Sequence, residues 1–319
     1  MKKLNLNTPF VQKYGLPIGL FAILLIVQLF RLDLPLLAWI NIKNTFKQYT
    51  SITLTALGLT FIMISGEGDM SFAGMYSLLT TVFALTINST GSFGTSFVLV
   101  LAIALLVNIA LVTLVTRFGF SSFIASIAVM FMAQGVERVL HKQTTNIVDK
   151  TLVSFVNIDI GFNFIVWAML IIYAVSYFVI TRTKVGFKLR VTGENVHAGI
   201  EAGINVNKMK YMAYIAAALC IALATVFETA RTGAMYNQGS VVMLPIFAAC
   251  YLGSSMFIPG RVNILGTLYG AMFVALMSSF MTTMGMQSYL ISIIQGVILI
   301  ASVAISVWRN RKKITQVIV

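Results

Sequence analysis

Residues 51–74 read SITLTALGLTFIMISGEGDMSFAG, and they place two acids between two apolar runs. The first run, Ser51 to Met63, is long and apolar enough for a buried helix. Three glycines then fall among residues 64–74, and glycine is a frequent helix terminator. Apolar residues resume at Phe72. The stretch therefore predicts a helix, a break that carries Glu67 and Asp69, and a second helix.

The composition of the whole chain identifies the solvent around these runs. Hydrophobic residues make up 59% of the 319 positions, charged residues make up 10%, and the mean hydropathy is +0.93. Soluble domains carry about 25% charged residues. In lipid, backbone groups require internal partners, and about 20 apolar residues cross the membrane as a helix. We therefore predict an all-α, polytopic membrane helical bundle that forms one transmembrane domain over residues 1–319.

Ten apolar segments are predicted to cross the membrane. Two of them, 70–87 and 241–257, are also compatible with half-spans or re-entrant pieces, because the first begins with polar residues and the second contains Pro245. The ten segments are 15–30, 45–65, 70–87, 95–116, 121–140, 163–182, 209–230, 241–257, 264–284 and 288–308.

The distribution of lysine and arginine predicts the orientation. If the N-terminus is cytoplasmic, the longest basic loops, including 183–208, also face the cytoplasm, as the positive-inside rule requires. Both termini are then cytoplasmic. Basic loops against anionic lipid also account for the net charge of +13, so the charge does not indicate nucleic-acid binding.

Several chemistries are not supported by the sequence. Cys220 and Cys250 lie inside apolar runs, and His141 and His197 lie in different predicted loops, so we expect no metal site. The chain also has no phosphate-binding loop and no hydrolase motif. We therefore predict that the chain is not an enzyme, has no cofactor of its own, and depends on another subunit if ATP is used.

The most polar loop contains a predicted short helix. Its centre, NVHAGIEAGI at residues 195–204, begins with Asn195, a favourable N-cap. Small residues at Ala198, Gly199, Ala202 and Gly203 leave a low surface that a partner protein could contact. An ordinary solvated loop is the alternative interpretation.

This loop resembles a known family. TGENVHAGIEAGINVNKMKYMAYIAAAL, residues 192–219, is similar to the cytoplasmic signature of permease subunits of ribose-type ATP-binding-cassette importers, with Gly199 where a second alanine is usual. The resemblance implies a coupling helix that docks on a separate ATPase subunit. The residues implied in coupling are Gly193, Glu194, Asn195, Ala198, Gly199, Ala202, Gly203 and Ile204.

Two glycine-rich stretches extend the resemblance. SGEGDMSFAG, residues 65–74, resembles the family pattern G-G-I-D-L-S-V-G, and residues 251–272 resemble a second family stretch rich in glycine. Both follow apolar spans, where transporters often build pathways. The implied pathway residues are Gly66, Gly68, Asp69, Ser71, Gly74, Gly253, Ser255 and Gly260.

The acids near the spans have alternative interpretations. Asp69 is expected either to cap the following helix or to contact the solute directly. Glu67 is interpreted as a solvated loop charge, although its position is similar to an E-G-Q element of nucleoside importers. Glu228 and Arg231 are three residues apart and are predicted to pair. Asp69 and Glu228 are interpreted as the only acids near the membrane interior.

The resemblance implies a permease subunit that imports a small hydrophilic solute, such as a monosaccharide, across the cytoplasmic membrane of a prokaryote. Its implied partners are an ATP-binding-cassette ATPase, an extracytoplasmic solute-binding protein, and a second permease subunit, either identical or paralogous. A nucleoside importer of the same superfamily is one alternative. An ion-coupled secondary transporter is the other, and it would require Asp69 or Glu228 deep in the bundle.

Overall fold

The structure is a computed structural model of the chain. It describes residues 37–257 and 261–317, except Lys142, residues 148–152 and Phe155, together with parts of residues 18–29; side chains are described as far as Ala304. The predicted span 15–30 is therefore covered only in part. Gly260, one of the predicted pathway residues, lies outside the described residues.

Helices make up almost all of the described chain. One short antiparallel hairpin, with Asp159 opposite Asn163, precedes helix α5. The elements in chain order are α1 (Trp39–Ile64), α2 (Ser71–Thr90), α3 (Phe93–Arg117), α4 (Ser122–Leu140), β1 (Asp159–Ile160), β2 (Phe162–Asn163), α5 (Phe164–Arg182), α6 (Lys184–Glu194), α7 (Val196–Glu201), α8 (Val206–Thr232), α9 (Gln238–Ser254), α10 (Ile264–Thr283) and α11 (Ser288–Val317).

Six of the described helices, α2, α3, α4, α5, α8 and α10, are long and apolar enough to cross a membrane. The predicted helical class is confirmed, whereas the count of ten spans and the orientation stay predictions. Helix α2 forms a full 20-residue helix over the doubtful segment 70–87. Helix α9 has only 17 residues and contains Pro245, which removes one backbone donor from its interior.

The chain divides into two compact units, residues 50–243 and residues 1–49 with 244–319. The apolar core of the first unit includes Ile62 of α1, Leu111 of α3, Val129 of α4 and Tyr214 of α8. The core of the second unit is built by buried apolar side chains of α9, of α10 and of the residues directly after α9. These are Ala248, Leu252, Met256, Phe273, Val274, Leu276 and Phe280.

Helix α2 is the most enclosed of the six helices that are long and apolar enough to cross a membrane. Buried residues occur on all sides of α2. Helices α3, α4 and α5 instead expose apolar side chains, as helices in lipid do. Small residues allow this enclosure: Gly74 lies directly against the backbone of Met130 in α4. The N–H of Gly239 also donates to Oγ of Ser77, over 2.7 Å.

We expect Gly74→Ala to destabilise the protein, because the new Cβ would overlap the carbonyl of Met130. Overpacking of this kind costs about 1–3 kcal/mol. The thermal unfolding temperature in detergent should fall.

Gly135→Ala is the matched control. Gly135 lies in α4, the helix of Met130, and has open space where a Cβ would be, so alanine there should hold or raise the unfolding temperature. Equal unfolding temperatures for Gly74→Ala and the wild type would contradict this account of how α2 packs.

Candidate functional site

The predicted break lies at Gly66, directly after α1. The N–H of Glu67 donates to the carbonyl of Ile62, and the N–H of Gly66 donates to the carbonyl of Met63. This pair of bonds is a Schellman motif, whose central residue needs a positive φ. Gly66 has a φ of 90°. Glycine therefore ends α1 here, and the chain continues as a non-helical segment, residues 67–70, before α2 begins.

Side chains of α4 bind the backbone of segment 67–70. Oγ of Ser126 accepts from the N–H of Met70 over 2.9 Å, and Oγ of Ser122 accepts from the N–H of Gly68 over 3.3 Å. Backbone N–H groups outside a helix need partners of this kind when they are shielded from water. Neither serine was predicted from the sequence, although their spacing of four residues places them on one face of a helix.

Asp69 lies at the start of α2 and is 3% exposed. Its Oδ1 accepts from the N–H of Ser71 over 2.6 Å, so the carboxylate satisfies one of the free donors of the first helical turn. A carboxylate at this end is also favoured by the helix dipole. This geometry supports the capping interpretation of Asp69, with Ser71 as the first helical residue rather than the cap.

A small cavity lies beside Asp69. Thr55, Ser71 and Asn108 are among its polar lining residues, and its volume is about 10 Å³. This volume matches a single water molecule. A sugar does not fit beside Asp69 in this conformation, so direct contact with a solute there requires the surrounding helices to separate.

The interpretation of Glu67 as a solvated loop charge is wrong. Its carboxylate forms an ion pair with Nζ of Lys210, and the Glu67 side chain is only 13% exposed. Lys210 lies in the second turn of α8, far from Glu67 in sequence. The pair therefore joins the break after α1 to the helix that follows the predicted coupling segment.

The predicted coupling helix is present as α7, a helix of six residues. Oδ1 of Asn195 accepts from the N–H of Ala198 over 3.0 Å, which is the expected N-cap. At the other end, the N–H of Ile204 donates to the carbonyl of Gly199, and the N–H of Gly203 donates to the carbonyl of Ile200. This pair of bonds is a second Schellman motif. Gly203 has the positive φ that this motif requires, at 70°.

The exposed surface of α7 differs from the predicted one. The structure exposes Ala198, Ala202 and Gly203, as expected. Gly199 is buried instead, although a Cβ would fit there beside Val191 and Val206. The prediction that Gly199 belongs to the partner-facing surface is wrong, because this side of α7 faces its own chain. Ile204 is buried as well.

Two apolar side chains on the exposed face were missed. Ile200 is 59% exposed and Val196 is 40% exposed, and both lie on α7. They are four residues apart, so they share one face of the helix. The small and branched residues of NVHAGIEAGI were the sequence signal for this exposed face. A helix of six residues is too short for periodicity to show which side faces inward.

The structure brings the coupling segment and the glycine break together. Gly193, in the last turn of α6, lies against the carbonyl of Ile64 and the N–H of Gly66. A Cβ on Gly66 would lie 3.1 Å from the Cα of Gly193. Two stretches that the sequence analysis treated separately are therefore in backbone contact.

The second glycine-rich stretch belongs to the other unit and forms a tight helix contact there. Gly253 of α9 lies against the backbone of Gly266 in α10, and Gly270 lies against Ala249. Ser255 is buried and donates to the carbonyl of Leu252 over 2.7 Å. These residues have packing roles in the structure, and a role in a solute pathway stays a prediction.

The predicted pair between Glu228 and Arg231 is confirmed, with 2.8 Å between Oε1 and Nη2. Glu228 also accepts from Ser51 over 2.6 Å and from Gln238 over 2.7 Å. The network joins α1, α8 and α9. Glu228 is thus a buried acid whose oxygens already have partners, which does not favour the binding of a coupling ion.

A third buried acid contradicts the prediction that Asp69 and Glu228 are alone near the interior. Glu137 of α4 is 1% exposed, and its Oε1 accepts from the N–H of Asn237 over 2.8 Å. Asn237 has a positive φ of 56° in the turn before α9. Glu137 therefore fixes that turn. Among the described residues, no group of three or more metal-ligating side chains is found.

A family model described as branched-chain amino acid transport system / permease component matches residues 41–303. The ribose import permease protein RbsC of Escherichia coli is 25% identical over 280 residues, which cover 86% of each chain. RbsC of Bacillus subtilis is 25% identical over 319 residues, covering 95% of this chain and 94% of the relative.

A further relative transports a different solute by its name. The autoinducer 2 import system permease protein LsrC of Photorhabdus laumondii is 21% identical over 264 residues, covering 82% of this chain and 79% of the relative. No solved structure matches the chain. The family match covers most of the sequence and agrees with the helical membrane fold. The chain is a multi-pass membrane protein that belongs to the family of branched-chain amino acid transport system permease components.

Proposed function

We propose that the chain is the permease subunit of an ATP-binding-cassette importer that carries a monosaccharide or a related small hydrophilic solute into the cell. It would act in the cytoplasmic membrane of a prokaryote. An extracytoplasmic binding protein would deliver the solute, a separate ATPase would supply the energy, and a second permease subunit would complete the pathway. No covalent chemistry takes place in this chain.

The observation that carries this proposal is the exposed helix α7. Val196 and Ile200 present apolar surface to the outside of a polar loop, beside the low surface of Ala198 and Ala202. Exposed apolar side chains surrounded by polar residues are typical of protein contacts. The loop is cytoplasmic in the orientation predicted from the basic residues, which is the side where an ATPase binds.

The choice of a sugar rests on the relatives. Two of the reported relatives are named as ribose import permeases, and the third imports autoinducer 2. The structure adds one argument against an ion-coupled transporter: the buried acids Asp69, Glu137 and Glu228 each accept hydrogen bonds from the protein itself. In an importer of this kind, ATP closes the ATPase pair, the coupling helices move, and the permease helices reorient.

The direct test is reconstitution. The chain, co-expressed with its operon partners and placed in liposomes, should take up radiolabelled ribose or another pentose or hexose only when ATP and the binding protein are both present. Uptake driven by a sodium or proton gradient without ATP would contradict the proposal.

Bulk on α7 should prevent docking. We expect Ala198→Trp and Ala202→Trp to abolish uptake and solute-stimulated ATP hydrolysis, because overfilling a packed contact costs about 1–3 kcal/mol. Co-purification with the ATPase should be lost, while the amount of permease in the membrane stays normal.

Serine at the same positions provides the control. Ala198→Ser and Ala202→Ser keep the surface low and should leave uptake near that of the wild type. A solvated loop would tolerate the tryptophans too, since exposed changes usually alter stability by less than about 0.5 kcal/mol. Normal uptake by both tryptophan variants would exclude α7 as the docking helix.

The orientation can be tested by cysteine labelling. The native cysteines, Cys220 and Cys250, are buried and should not react with an impermeant maleimide. We expect Ser89→Cys, exposed at the far end of α2, to be labelled on intact cells. Ala202→Cys and Val319→Cys should be labelled only after the membrane is opened. Labelling of either on intact cells would reverse the predicted topology.

Asp69→Asn distinguishes capping from a charge requirement in the pathway. Asparagine retains an oxygen that accepts from the N–H of Ser71 and caps helices well, so uptake should fall only modestly. Asp69→Ala removes the acceptor and should lower both the unfolding temperature and uptake. Complete loss of uptake in a stable, inserted Asp69→Asn variant would show that the charge itself is needed.

A further inference from the structure

The contact between Gly66 and Gly193 joins two backbone segments without any intervening side chain. Gly193 precedes α7 by three residues, and Gly66 ends α1. A Cβ on Gly193 would overlap the carbonyl of Ile64 and would lie 2.8 Å from the backbone nitrogen of Gly66. A side chain at either position would force the two segments apart.

A second contact is made by the part of the chain that follows α7. Glu67 forms its ion pair with Lys210, which follows α7 by nine residues in α8. Both side chains are mostly buried, with 13% and 17% exposure. Charge pairs that are shielded from water are less screened by salt than exposed pairs. The residues around the break after α1 are thus bound to the chain on both sides of the predicted coupling helix.

The break leads directly into helix α2. Segment 67–70 is hydrogen-bonded to Ser122 and Ser126 of α4, and Asp69 binds the first turn of α2. Helix α2 is the most enclosed of the six candidate membrane-spanning helices. Packed interiors respond to a displacement as connected bodies, because they contain few voids.

Resting on the proposed function, we propose that the Gly66–Gly193 contact, together with the Glu67–Lys210 pair, transmits movement of the docked helix α7 to segment 67–70 and helix α2. Gly66 and Gly193 are positioning residues in this scheme, and neither contacts ATP or solute. Their backbone contact lets a displacement of α6 and α7 act on the start of α2 without a flexible side chain that could absorb it.

The first experiment compares two glycines of the same loop. The reconstituted importer is used with the sugar that the wild type takes up fastest, and sugar uptake per ATP hydrolysed is measured. Gly193→Ala should lower this ratio about fivefold or more, which is the lower range of known coupling effects between sites. The ATPase should still co-purify, because the exposed face of α7 is unchanged.

Gly199→Ala is the matched control, since a Cβ there would lie 3.6 Å or more from its neighbours. Uptake per ATP should stay at the wild-type value. The same ratio in Gly193→Ala as in the wild type would overturn the proposal. A purely structural role would instead lower the amount of assembled importer and leave the ratio unchanged.

The ion pair gives a test that does not depend on the fit of an alanine. Glu67→Lys and Lys210→Glu should each reduce uptake per ATP, because like charges then face each other. The double variant restores opposite charges and should recover most of the ratio. Absence of recovery, or normal ratios in both single variants, would overturn the role of this pair.

The outcomes separate the inference from the proposed function. If the wild type shows no ATP-dependent uptake of any sugar tested, the proposed function fails. If the wild type transports and Ala198→Trp uncouples it, whereas Gly193→Ala and the charge variants remain fully coupled, only the transmission through Gly66 and Gly193 is excluded.

Discussion

Backbone amides that leave a helix need new acceptors, and this requirement determines the structure around segment 67–70. A buried amide without a partner costs about 1–3 kcal/mol. Ser122, Ser126 and Asp69 supply the acceptors for the amides of Gly68, Met70 and Ser71. These three acceptors fix where α2 begins. The enclosure of α2 by its neighbouring helices follows from that starting point.

Helix α7, the predicted coupling helix, depends on the same packed helices. A helix of six residues is far too short to be stable by itself. Helix α7 instead relies on the Asn195 cap, on the Schellman motif at Gly203, and on burial of Gly199 and Ile204 against its own chain. Its position is thus set by α6 and α8, the helices that also contact the residues around the break. The loop that contains α7 and the break after α1 are therefore linked by direct contacts.

The sequence predicted features that depend on local chemistry. These include the helical membrane class, the break at Gly66, the Asn195 cap and the pair between Glu228 and Arg231. It did not predict features that join distant parts of the chain. The partner of Glu67 is Lys210, and no local pattern connects the two. The inward side of α7 was also missed, because six residues do not define a periodicity.

The glycines that resemble family motifs have a common physical role in the structure. Gly74, Gly193, Gly253 and Gly270 each lie against the backbone of another segment, as small residues do at close helix contacts. Gly74, Gly253 and Gly270 are buried and have no open face to offer a solute, whereas Gly66 and Gly68 are exposed. Contact between a solute and any of the three buried glycines would therefore require the packed helices to separate.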